Sequence, residues 1–125
     1  MKSLQTSLNS ILMIDPDEKD NFSLIKIFEE HKINLQIINP GYGFWNLFKI
    51  HSFNCVMINA DLPDKQSFKI IEKIKWEYQN IVVVVLLNRE DIKKIIEFVR
   101  YGVDDFLMKP YTWEDMEKLL TYYDY

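Results

Sequence analysis

The residues best suited to chemistry in this chain stand where apolar runs stop. Asp15 ends the run at 11–14, Asn59 ends the run at 55–58, and Lys109-Pro110 follows the run at 106–108. Carboxylates in such places hold hard cations such as Mg²⁺, which take oxygen ligands: one or two acids, water and phosphate oxygens. A lysine beside them meets an anion, or a carboxylate of its own chain. Asn59 is an amide with no ionised oxygen, so it cannot act as a nucleophile. Asp17 and Asp61 are the other acids close to these positions, and Pro16 and Leu87 bring no oxygen at all from their side chains.

Alternating elements must position these residues. The run 11–14 predicts a strand, and 20–30 predicts a helix with Phe22, Leu24, Ile25 and Phe28 on one face. A second strand at 35–38 is closed by Asn39-Pro40-Gly41, and a short helix is predicted at 44–50. A third strand, 55–58, leads to a helix at 67–78 carrying Phe68, Ile71, Ile74 and Lys75. The unbroken run 81–87 predicts a central strand covered on both faces. The next helix, 90–101, shows Ile92, Ile95, Ile96 and Val99 at helical spacing and stops at Gly102. A fifth strand at 106–108 precedes a last helix opened by Thr112, with Asp115 placed to complete a capping box. Five strand–helix repeats predict an α/β fold: three layers around a doubly wound, parallel five-stranded sheet. In such sheets ligands sit beyond the carboxyl ends of the strands, where strand order reverses. The ends at 15, 59, 87 and 109 are that place.

Composition narrows the function classes. At 125 residues, 48% hydrophobic and 14% aromatic, the chain suits one packed domain over 11–125, with 1–10 as a short loose lead-in. A net charge of −4, with both signs mixed, argues against nucleic-acid or membrane binding. No run approaches the ~18 apolar residues of a membrane span, and the first ten residues lack a signal-peptide core. A cytoplasmic location is expected. The lone Cys55 excludes a disulfide framework and reads as a buried hydrophobe. His31 and His51 fall near helix ends with nothing to bring them together, and Gly41-Tyr42-Gly43 is too short for a dinucleotide loop.

Three segments together resemble the receiver domain of two-component response regulators. They are Ile11-Leu12-Met13-Ile14-Asp15-Pro16-Asp17, Cys55-Val56-Met57-Ile58-Asn59-Ala60-Asp61-Leu62-Pro63 and Phe106-Leu107-Met108-Lys109-Pro110, with Gly102-Val103-Asp104-Asp105-Phe106 in support. The resemblance runs from about 11 to 123 and implies a flavodoxin-like (βα)5 receiver fold. It implies a phosphoacceptor aspartate where Asn59 stands, a second acid where Pro16 stands and a Ser or Thr where Leu87 stands. Lys109 matches the lysine that contacts the phosphoryl group, and the bond to Pro110 is usually cis in the family. Phe106 matches the aromatic whose rotamer reports activation, and Ser67 replaces a usual glycine.

Three departures in one site imply an atypical, degenerate receiver rather than an enzyme. With Asp15 the only retained ligand, Mg²⁺ binding is expected to be weak or absent, and Lys109 is expected to pair with Asp15. The resemblance places the contact surface at 90–101, 106–108 and 113–123, with Tyr101, Tyr111 and Trp113 as interface candidates for a homodimer or protein partner. A fused effector domain is a further possibility the resemblance raises. Two alternatives stay open: a working receiver that phosphorylates Asp15 or Asp61, and a flavodoxin-like binder of a small ligand.

Overall fold

In a computed structural model, residues 4–18, 21–40 and 53–124 are described. The strands are β1 (Ser10–Ile14), β2 (Asn34–Ile38), β3 (Cys55–Asn59), β4 (Val82–Leu87) and β5 (Asp105–Met108). All pairings are parallel, in the order β2-β1-β3-β4-β5. The helices are α1 (Phe22–Glu30), α2 (Gln66–Glu77), α3 (Ile95–Arg100) and α4 (Trp113–Tyr122). The helix expected at 44–50 lies outside the described residues, as do His51 and the Gly41-Tyr42-Gly43 turn.

Alternation along the strands divides the core in two. Ile11, Met13, Cys55, Met57, Val84 and Leu86 face α1 and α4, where Phe28, Met116 and Leu120 meet them. Leu12, Ile14, Val56, Ile58, Val83 and Val85 face α2 and α3, against Ile71, Ile74 and Phe98. β3 and β4 are buried throughout because both faces are covered. Cys55 is fully buried, and burial pushes its thiol far up, so it remains an inert hydrophobe.

Sequence signals act where local geometry demands them. Gly102 takes φ +89° at the end of α3, a conformation that an L side chain adopts at a cost. Thr112 and Asp115 form the reciprocal capping box at the start of α4.

Three expectations are corrected. The described part of the lead-in, from residue 4 on, is not loose: Leu8 is in the core, Ser7 bonds the Tyr123 carbonyl, and the Leu4 amide donates to His31 Nδ1. Phe22 does not join the apolar face of α1: Leu24 and Phe28 are buried, Ile25 packs against the core in part, and Phe22 lies exposed. The segment expected as one helix at 90–101 divides into a 3-10 stretch, Arg89–Lys94, and the short α3. Phe98 becomes its buried anchor, while Ile92, Ile96 and Val99 are 52%, 67% and 55% exposed.

Candidate functional site

The first two turns of chain from the switch point run in opposite directions, β1 toward β2 and β3 toward β4, opening a crevice at the strand ends. Asp15 follows β1, Asn59 closes β3 and Lys109 follows β5. The fold therefore brings Asp15, Asn59 and Lys109 together. The bond between Lys109 and Pro110 is cis.

Asp15 is fully buried, and every part of its carboxylate is engaged. Asn59 Nδ2 donates to Oδ1 at 3.0 Å, as does the Asp17 amide at 3.0 Å. Lys109 Nζ donates to Oδ2 at 2.7 Å, and also stands 3.5 Å from Asp17. Asn59 Oδ1 meanwhile accepts from the Asp61 amide at 2.7 Å, closing a turn that Asp and Asn form equally well. The amide is distinguished by its other end. Nδ2 donates to Asp15, where a carboxylate would have presented a second negative oxygen. Burial lowers the proton affinity of Lys109, but its bond to Asp15 and the charges of Asp15, Asp17 and Glu18 outweigh this. Its ammonium is held above the usual lysine value.

A Mg²⁺ ion fits this donor set poorly. Asp15 is the one buried carboxylate beside Asn59, Pro16 contributes no oxygen, and both Asp15 oxygens already accept hydrogen bonds. Asp17 lies in the 3-10 turn Pro16–Glu18 with its side chain toward solvent.

Leu87 ends β4 within the apolar cluster that also takes in Phe98 and the half-buried Phe106, and the Lys109 amide donates to its carbonyl. Its side chain has no polar atom to offer the crevice. Phe106 meets Phe98 edge-on at 6.5 Å. Tyr101 rests on Phe68, and Trp113 packs against Phe28 and stacks on His31. Tyr111 is half-buried beside Lys109 in a crevice of about 500 Å³, and burial, then Glu18 and Asp15, push its phenol up. These three aromatics are thus packed onto the core, and the apolar residues that face solvent in this region are Ile92, Ile96, Val99, Met108 and Tyr122.

The roles of two groups near the site were not evident from the sequence. Ser67, buried at the start of α2, donates to the Asn59 carbonyl at 2.7 Å and accepts from the Leu62 amide at 3.3 Å. Its hydroxyl holds the loop after β3. Ser67→Ala is expected to cost about 1–3 kcal/mol, read as a lowered urea midpoint, because two buried backbone groups lose their partner. The other group is Lys94, which bridges Asp61 at 3.0 Å and the buried Asp91 at 3.4 Å, with Asn88 also on Asp61. A hydrogen bond shared with Asp91, then Lys94 and Asn88, holds Asp61 below the usual carboxyl range, while burial raises Asp91. Only the winding of Arg89–Lys94 brings Lys94 to Asp61, so no local sequence signal marks the pair.

The family profile of the response regulator receiver domain matches residues 11–121. The chain belongs to that family. This receiver is 27% identical over 106 residues to response regulator GtcR of Aneurinibacillus migulanus, covering 83% of the chain and 43% of GtcR. The receiver domain of a response regulator from Bacteroides fragilis has the same fold, with a TM-score of 0.81 at 16% identity over 95% of this chain and 98% of that one. Full-length FixJ from B. japonicum superposes with a TM-score of 0.78 at 19% identity, covering 94% of this receiver and 58% of FixJ. The chain spans less than half the length of GtcR. The five-stranded parallel, flavodoxin-like sheet expected from the sequence is the receiver fold of these structures. It is a module of two-component signalling. No described helix is long and apolar enough to cross a membrane.

Proposed function

We propose that this receiver works without phosphorylation, as a protein-interaction module whose phosphorylation site is closed by its own side chains. The observation that carries the reading is the Lys109–Asp15–Asn59 chain of hydrogen bonds, in which an amide occupies the acceptor position and both Asp15 oxygens are taken. A neutral amide offers no nucleophile, and the remaining donor set gives Mg²⁺ one carboxylate at most, so Mg²⁺ binding is weak or absent. Leu87 adds no hydroxyl to sense a phosphoryl group. Ile92, Ile96 and Val99 stand exposed, with Met108 and Tyr122 nearby. Apolar exposure of this kind suits a homodimer or a protein partner docking over 90–101, 106–108 and 113–123. The setting is cytoplasmic and the module is not an enzyme.

The test is incubation with Mg²⁺ and acetyl phosphate, read by intact mass and by elution volume. The native chain is expected to keep both unchanged, while an Asn59→Asp/Leu87→Thr/Pro16→Asp variant gains one phosphoryl group. A phosphoryl group on the native chain would overturn the reading. An Asp61→Asn or Asp15→Asn variant would then identify the acceptor.

A further inference from the structure

A second surface, away from the strand-end site, has its own chemistry. The exposed stripe of α2 carries Lys69, Lys73 and Trp76 at helical spacing, and Trp76 is 84% exposed. Across a groove of about 900 Å³ stand Arg100 and Tyr101, at the end of α3. Tyr101 packs on Phe68 and forms one wall of the groove. Lys75, Glu72 and Glu77 complete the lining. Four cations and two anions leave the groove net positive on a chain whose total charge is −4.

The cations are not equally committed. Lys75 is held by Asp104 at 2.5 Å, and Lys73 lies 3.5 Å from Glu77. Lys69 and Arg100 have no ion pair among the described residues, and they flank the groove that Trp76 borders. An exposed indole between two unpaired cations presents an apolar anchor and two anion contacts at once.

We propose that this groove docks an acidic segment of a partner protein, with an apolar side chain of that segment seated on Trp76 and Tyr101 and its carboxylates on Lys69 and Arg100. Charge complementarity selects this occupant. A nucleic acid carries a phosphate at every step and would meet Glu72 and Glu77 as well as the overall negative charge. A small molecule needs a cavity that encloses most of its surface, and this groove is open to solvent. An acidic peptide leaves both glutamates facing water and draws on the local positive field, so its binding weakens with salt.

The experiment titrates the full chain at low salt with three probes while Trp76 emission is followed, with Trp76→Phe to isolate its signal. The probes are a synthetic Asp/Glu-rich peptide of about twelve residues containing two leucines, its Lys-substituted counterpart and a single-stranded oligonucleotide of similar length. The acidic peptide is expected to shift the emission saturably. Lys69→Glu/Arg100→Glu, at two exposed positions, is expected to weaken it about tenfold or more. The proposal is overturned if the acidic peptide produces no shift up to about 1 mM, if the double variant binds it equally well, or if either other probe binds more tightly.

Discussion

Replacing Lys109 by methionine is expected to destabilise the fold by about 3–5 kcal/mol, the cost of stripping a buried charge of its partner. Asp15 has no exposure, and its Oδ2 has Lys109 Nζ as its charged partner at 2.7 Å. In Lys109→Met the Asn59 amide and the Asp17 backbone still reach Oδ1. They satisfy geometry without supplying a countercharge. The effect carries a pH signature. The ammonium is held above the ordinary lysine value, so its stabilisation is whole below about pH 10.4. It is lost as pH rises through the higher folded value. Urea unfolding of the native chain and the variant is therefore expected to differ fully near neutrality and to converge in strong alkali. A second variant separates the ion pair from mere packing. Asp15→Asn/Lys109→Met removes both charges and is expected to recover much of the loss, a coupling that independent sites do not show. Equal stability of native and Lys109→Met protein at neutral pH would remove the ion pair from the account.

Asn59→Asp is expected to cost about 2–4 kcal/mol at neutral pH in the absence of divalent metal, although it restores the residue usual in receivers. The substitution exchanges a donor 3.0 Å from Asp15 Oδ1 for a second negative oxygen. Two like charges about 4 Å apart repel by about 4 kcal/mol at an effective dielectric near 20, and Lys109 offsets part of this. Crowding of this kind raises the carboxyl value of the new pair in the folded state. The deficit is therefore present above that raised value and disappears as pH falls below the ordinary carboxyl range near 4. Added Mg²⁺ is expected to shrink the deficit in the variant, which has two carboxylates for it, and to leave the native chain unchanged. Urea midpoints at several pH values, with and without Mg²⁺, read all of this. A variant as stable as the native chain at neutral pH without metal would show that the amide is not what quiets Asp15.

These two results would establish what balances Asp15. Lys109 supplies the charge and Asn59 supplies the hydrogen bond. Ser67 supports the same site. Its hydroxyl holds the Asn59 carbonyl and the Leu62 amide, which fixes the loop without a ligand.

The amino-acid sequence alone determined the receiver architecture, because the short unbroken apolar runs of β1, β3 and β4 and the helical spacing in α1 and α2 are properties of short segments. It also determined which side chains stand at the strand ends, since the identities of Pro16, Asn59 and Leu87 are independent of any geometry. The Gly102 and Thr112 signals were legible for the same local reason. The tertiary structure decided which faces are covered. Ile92, Ile96 and Val99 have the spacing of a buried stripe, yet in a segment that winds as a 3-10 turn before α3 it is Phe98 that is fully buried, with Ile95 packed beside it in part. Tyr101, Tyr111 and Trp113 have the composition of an interface, yet the neighbouring helices and strand cover them in part. Trp76 and Lys94 gained their surroundings only when distant segments met, one across the α2–α3 groove and the other at Asp61. Periodicity records what a segment can bury; only packing against the rest of the chain decides what it does bury.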